Sequence, residues 1–268
     1  LVNATNAAGN IVHSMIVKSE KSDKDAKYNL QLGRPFPAGV TAKFAIRNVE
    51  GGLNIPESER NNDYLLPIEQ LREVTNRLAV VEFTPDADGV LRRTKPLREY
   101  QGAYYPVLGL APFIDENSKI IIGTKAIQIN DRILPIDRNG NFLINMHGID
   151  SVEPISVGGI FASLQKIRAG EVENLVVNPE EFRDSIVFVG VSAVGGADLK
   201  STPLAARTPG VIMHVSLAAN YLQQDFLMPP DRRLTVLSVF AGVFLVTGFV
   251  FFSKRFLIRA SFPLMILF

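Results

Sequence analysis

The chain has 268 residues, with 28 basic side chains against 27 acidic ones and no cysteine. Disulfides and thiolate metal sites are therefore excluded. All 27 acidic residues but only 23 of the basic ones precede Arg232, so the first part carries −4 and the remainder +5, and nucleic-acid binding, which rests on clustered Lys and Arg, is excluded as well.

A region of that length supports one sizeable core or two small ones, held by packing alone. This suits a bacterial envelope protein better than a small secreted animal domain. The opening LVNATNAAGN has neither an initiator Met nor a basic-then-apolar signal and reads as the tail of a helix ending at Gly9. Both ends of the chain read as truncated. Ile11 to Val17 is a β-branched apolar strand, and residues 18–27 are charged and solvated. His13 inside that strand is expected to be a core or edge histidine and not a metal ligand. Gly51, Gly52, Pro56 and the polar run to Asp63 make a long exposed loop.

Pro67 to Arg77 places Ile68, Leu71 and Val74 three residues apart, which predicts an amphipathic helix with proline in its first turn. Leu78 to Thr84 and Val90 to Leu97 read as the two strands of a hairpin around the turn Pro85 to Gly89. Asp86 and Asp88 resemble the start of a calcium loop, but Leu91 and Leu97 occupy the places of its sixth-position Gly and twelfth-position Glu. Turn chemistry is the better account. Tyr105 to Asp115 is apolar and predicts a short buried helix. Lys119 to Ile122, Ala126 to Asn130 and Arg132 to Ile136 then form a β-meander, followed by the strand Asn141 to His147, with His147 at its end.

Ser156 is placed to cap a helix from Val157 to Arg168 that Gly170 closes, and Asn178-Pro179 opens an acidic turn. Ser185 to Val191 (SIVFVGV) is nearly continuously apolar, as a strand buried on both faces would be. A loop from Ser192 to Pro209 follows, then a helix from Gly210 to Gln224 with Val211, Val215, Ala218 and Leu222 on one stripe. Ligands of open α/β sheets lie at the carboxyl ends of such strands, here beside Gly195, Gly196, Asp198 and Thr202. The loop contains neither GxGxxG nor GxxxxGK[ST], which argues against a nucleotide. His214 with Ser201 or Ser216 and Asp198 has the residue types of a hydrolytic triad, but no GxSxG elbow is present. A histidine hydrogen-bonded to the loop before its helix is the expected arrangement.

Leu234 to Phe252 carries no charge and only three hydroxyls, Thr235, Ser238 and Thr247. As a helix it spans roughly 28 Å, close to the hydrocarbon thickness of a bilayer, whereas a helix of a soluble protein normally shows a polar face. Lys254, Arg255 and Arg259 follow it and outnumber Arg232 and Arg233 before it, which places the following loop in the cytoplasm.

Three stretches together resemble one family. The run FVGVSAVGGADLKSTPLAARTPGVIMHVSLAANYLQQDFLMPP, followed by an apolar segment, is similar to the end of the CHASE type-2 domain. VVEFTPDADGVLRRTKPL matches that family's Asp-x-Asp-Gly-Val hairpin with paired arginines, and FLINMHGIDSVEPIS resembles its later strand and helix start. The resemblance covers roughly residues 9–230, without the opening helix and first strands of the family pattern. It implies an extracytoplasmic sensory module of a bacterial signalling protein, preceded by one transmembrane helix and followed by about three, leading to a cytoplasmic cyclase or kinase output.

The expected fold class is accordingly α/β with a mixed sheet. Residues 1–230 form an extracytoplasmic sensory domain at the inner membrane, 231–253 a transmembrane helix, 254–260 a cytoplasmic loop and 261–268 the start of a second span. No catalytic residue, metal or cofactor is expected. The expected partners are the membrane, an unidentified extracytoplasmic ligand or protein, and a second copy of the chain, by analogy with the family. The ligand-responsive region is placed at the loop Ser192 to Thr208 with Asp198, Thr202 and His214, and secondarily at the Asp88 and Arg92 hairpin. A membrane-anchored hydrolase and an envelope-assembly or transport subunit remain as alternatives.

Overall fold

A computed structural model describes residues 1–18, 35–55, 63–191, 198–228 and 232–252. The chain divides into two units, Leu1–Leu227 and Met228–Phe268.

In the first unit, helix α1 (Val2–Ala8) closes at Gly9, and strand β1 (Val12–Lys18) follows. Met15 and Val17 of β1 are buried while Ser14 is exposed, the period of two that lets one strand face a core. β1 pairs antiparallel with β3 (Asp63–Leu65) and parallel with β4 (Arg77–Val80), giving the order β3-β1-β4. Helices α2 (Val40–Phe44) and α3 (Glu69–Val74) are short. The latter is shorter than the predicted Pro67 to Arg77. It buries Leu71 but leaves Ile68 largely exposed, because the chain becomes helical only after Ile68.

The predicted meander is present as β8 (Lys119–Ile122), β9 (Ala126–Ile129) and β10 (Arg132–Pro135), and β2 (Asn48–Gly51) joins β8 in parallel to make the order β10-β9-β8-β2. Ile120, Ile122, Ile127, Ile129 and Leu134 all point inward, with Ile120 opposite Ile129 and Ile122 opposite Ile127. This is the alternation that fixes register, since a slip of one residue would expose the whole set. Two-stranded pairs complete the domain: β5 (Arg93–Thr94) with β11 (Phe142–Leu143), β6 (Leu97–Tyr100) with β7 (Ala103–Pro106), and β12 (Leu199–Lys200) with β13 (Thr208–Pro209). One core gathers Leu97, Val107, Leu110, Phe142 and the meander with Met213 and Leu217; a second lies around Met15, Val17, Tyr64, Leu78 and Tyr105.

Several expectations change. Pro85 to Gly89 does turn, with Gly89 N–H on the Asp86 carbonyl at 2.8 Å and Asp86 N–H on the Val90 carbonyl at 3.0 Å, but its flanks do not pair as a hairpin. β4 is drawn to β1 and β5 to β11, because each finds a longer-range partner with a buried face. Tyr105 to Asp115 is buried as expected, yet its start belongs to β7 and only Ala111–Phe113 is helical, as a 3-10 turn.

The largest correction concerns Ser185 to Val191, which forms no strand, with Ile186, Val187, Val189 and Val191 all exposed. The free side of β4 is met instead by the segment after β7: Leu108 N–H donates to the Val80 carbonyl at 2.8 Å, and Val80 pairs with Val107. Helix α4 (Val157–Arg168) has the predicted bounds, and Ser156 stands at its N-cap without a side-chain capping bond. It buries only Ser163, so its apolar residues Val157, Ile160, Phe161 and Leu164 are exposed too.

Helix α5 (Gly210–Gln223) does not bury the predicted stripe: of Val211, Val215, Ala218 and Leu222 only Ala218 is buried, and Val211 and Val215 are half-buried. Ile212, Met213, His214, Leu217, Ala218 and Tyr221 are inside, whereas Leu222 is exposed. In the second unit, α6 (Arg232–Phe252) is a 21-residue helix whose segment Arg233–Phe251 has a mean hydropathy of 2.4 and no buried position. It is long and apolar enough to cross a membrane, at roughly 31 Å. The expected second span at 261–268 lies outside the described residues.

Candidate functional site

The two regions singled out in the sequence meet. The backbone N–H of Leu91, beside Arg92, donates to the Ser201 carbonyl at 2.8 Å, which ties the Asp86–Arg92 turn to the β12–β13 hairpin. Gly195 and Gly196, and most of the loop's beginning, lie outside the described residues.

Asp88 and Arg92 form a bidentate pair at 2.7 and 2.9 Å, and Arg92 also reaches Asp86 at 3.1 Å. The Arg92 guanidinium, with the Val90 N–H, holds the Asp88 carboxyl at about 2, well below the usual carboxylate range. Arg93 extends this surface to Asp86 at 3.8 Å and to Asp137 at 3.5 Å. The paired arginines therefore grip an acidic turn, and Arg92 is held protonated more firmly than usual. Such a network offers an exposed, polar, fixed surface.

Asp198 stands at the start of α5. Its carbonyl accepts the Gly210 N–H at 2.8 Å, and its carboxylate occupies the space a Cβ at Gly210 would need, so this approach requires glycine. A negative charge at a helix N-terminus is favourable, and Lys200 lies 3.5 Å from the same carboxylate. Thr202 is buried and fully occupied: its hydroxyl meets the Thr208 hydroxyl at 2.9 Å, the Ala205 carbonyl at 3.2 Å and the Ala205 N–H at 3.2 Å. It closes the hairpin from inside.

His214 is the deepest of the five, only 3 % exposed. Its ring packs on Phe83 with centroids 4.5 Å apart and bonds the Val81 carbonyl, while Nδ1 has no partner among the described residues. Burial pushes its pKa down to about 4, so the ring is neutral at ordinary pH. The expected partner was the loop before α5; the observed partner is the end of β4, because helix burial turns the ring toward that strand. A hydrolytic triad is not assembled. Ser216 Oγ instead accepts the His147 N–H at 3.1 Å. Among the described residues no group of three or more His, Asp or Glu could hold a metal ion.

Sequence reasoning passed over the groups that fix α5. Asn220 is fully buried and exchanges two bonds with the Asn145 backbone: its Oδ1 accepts the N–H at 2.9 Å and its Nδ2 donates to the carbonyl at 3.0 Å. Asn145 Nδ2 donates to Asp225 at 2.7 Å. Arg132 Nη1 donates to the Tyr221 and Leu222 carbonyls, each at 2.7 Å, satisfying the helix C-terminus. Asn220, an amide in a largely apolar helix, was the available signal, since buried polar groups require partners.

The arrangement defines a mixed α/β domain whose last helix is clamped at both ends, in a chain that continues into an apolar helix. The family model described as the CHASE2 domain matches residues 4–253. The chain belongs to that family, one of extracytoplasmic sensory domains and not of catalytic ones. No curated protein and no solved structure matches it.

Proposed function

We propose that this chain is the sensing and membrane-anchoring portion of a bacterial transmembrane receptor. Residues 1–230 lie outside the cytoplasm, 231–253 cross the inner membrane, and 254–260 face the cytoplasm, from which a cyclase or kinase domain is controlled. Membership of the CHASE2 family together with the apolar helix α6, whose apolar segment has no buried position, carries this reading. The cationic residues Lys254, Arg255 and Arg259 support the orientation.

The responsive surface is the joined pair of the Asp88–Arg92 turn and the Asp198–Thr208 hairpin. A stimulus there changes the setting of α5, in which His214 and Gly210 are contact points. Only differential affinity for two arrangements can shift such an equilibrium. Pro229 and Pro230 lie outside the described residues; in the sequence they stand between α5 and α6, and a proline fixes its own φ and restricts the residue before it. Two copies working together relay the change across the membrane. The test is the reading frame beyond Phe268: a kinase or cyclase domain there, whose output changes when Asp88 and Arg92 are both replaced by Ala, is expected. A frame that ends after the membrane spans contradicts the proposal.

A further inference from the structure

A cleft of about 100 Å³ that shares no residue with that surface opens where three connections meet just before β2, β4 and β8. Its apolar wall is buried side chain: Leu78, Pro106, Ala111 and Ile114. Its rim is charged. Two of the charged groups are already committed: Lys43 Nζ donates to the Arg72 and Glu73 carbonyls at 2.7 and 2.8 Å, and Asp115 accepts from Ser118 Oγ at 2.8 Å and the Asn117 N–H at 3.0 Å. Arg77 Nη1 is spent on the Ala111 carbonyl at 3.4 Å.

Three polar side chains on the same cleft are not spent. Arg47, Asn76 and Glu116 have no side-chain hydrogen bond or ion pair among the described residues. One is a planar cation suited to a carboxylate, one an anion suited to an ammonium, and one an amide able to donate or accept. The volume is well under the roughly 300 Å³ at which drug-sized pockets begin, so only a few heavy atoms fit. An apolar wall together with one uncommitted cation and one uncommitted anion suits a small zwitterion with a short carbon stem.

We propose that this cleft binds a free α-amino acid with a short side chain, its carboxylate on Arg47, its ammonium on Glu116 and its side chain against Ala111 and Ile114. The site is separate from the surface that the receptor reading uses, and binding is measured without any output, so either can fail alone. The full chain in detergent micelles is titrated calorimetrically with glycine, L-alanine and L-serine, and with propionate, propylamine and L-tryptophan as comparisons. Saturable binding of L-alanine is expected, weaker by about tenfold or more in Arg47→Ala and in Glu116→Gln, since each loses a charge-assisted bond. Propionate and propylamine bind at least about tenfold more weakly than L-alanine, and L-tryptophan does not bind. Absence of saturable heat with all three small amino acids overturns the proposal. So does L-alanine binding that either variant leaves within about twofold, or propionate binding as tight as that of L-alanine, which would make the cleft a plain carboxylate site. Both residues are exposed, and unchanged circular dichroism of each variant establishes that it is folded.

Discussion

His214 makes the domain acid-sensitive by a calculable amount. Its ring is held neutral by burial, with a pKa of about 4 in the folded chain against an ordinary value near 6.5 when unfolded. Between those values the unfolded chain binds a proton that the folded chain does not, so stability rises with pH across the window. The contribution is fully present above about 6.5 and is lost as pH falls toward about 4. From pH 7.5 to pH 5 the loss is about 2 kcal/mol, at about 1.4 kcal/mol for each pH unit below 6.5. For a domain of this size that lowers Tm by about 4–8 °C. His214→Gln keeps an N–H for the Val81 carbonyl but does not titrate, so the difference between the two melting profiles isolates this ring. The tyrosines give a clean signal: Tyr64, Tyr100, Tyr105 and Tyr221 are buried in the globular unit and α6 contains none. Near-ultraviolet circular dichroism of the full chain, read in the tyrosine band beyond the phenylalanine absorption of α6, therefore follows the domain. Wild type and His214→Gln melting with the same pH dependence would refute the assignment of a buried neutral ring.

Gly109→Ala would place a Cβ 2.6 Å from the His214 carbonyl and 3.0 Å from Leu217, against rigid backbone and core; thermal melts should show a loss of about 2–3 kcal/mol. Gly148→Ala meets nothing nearer than 4.0 Å and should stay within about 0.5 kcal/mol. Asn220→Ala strips the Asn145 backbone of both partners, and urea unfolding should report about 1–3 kcal/mol. Replacing Pro229-Pro230 with Gly-Gly in a full-length receptor should weaken the response of output to stimulus while leaving the domain's Tm unchanged; unaltered coupling would remove the mechanical role of that junction.

How far the sequence could be read follows from where its information lies. The meander was legible because the short apolar runs Lys119 to Ile122, Ala126 to Asn130 and Arg132 to Ile136 are separated by short turns, so local pattern and tertiary burial agree. Helix α4 was legible to the residue because Ser156 and Gly170 mark its ends. Ser185 to Val191 was misread because an apolar run records affinity for a sheet and not whether it finds one, and here the run pairs with no strand and stays exposed. The hairpin failed likewise: Asp86 and Gly89 encode the turn, but the partners of β4 and β5 are set by chain segments some 50 or more residues distant in sequence. The Asp88–Arg92 pair was visible as a spacing of four, while its link to Ser201 is purely tertiary. The cleft at Arg47 and Glu116 left no pattern in the sequence because its lining comes from connections far apart in the chain, before β2, β4 and β8, that only the tertiary fold brings together.

The account's central claim is that the globular unit and the residues following α6 lie on opposite sides of a membrane, and the absence of cysteine makes this directly measurable. Glu173→Cys, at an exposed position of the globular unit, and Lys254→Cys, just beyond α6, are each introduced into the full-length protein and treated in intact spheroplasts with a membrane-impermeant maleimide. Labelling of the Glu173→Cys variant without permeabilisation, and of the Lys254→Cys variant only after it, is the predicted result. Equal labelling of both, or protection of the Glu173→Cys variant until permeabilisation, would contradict it.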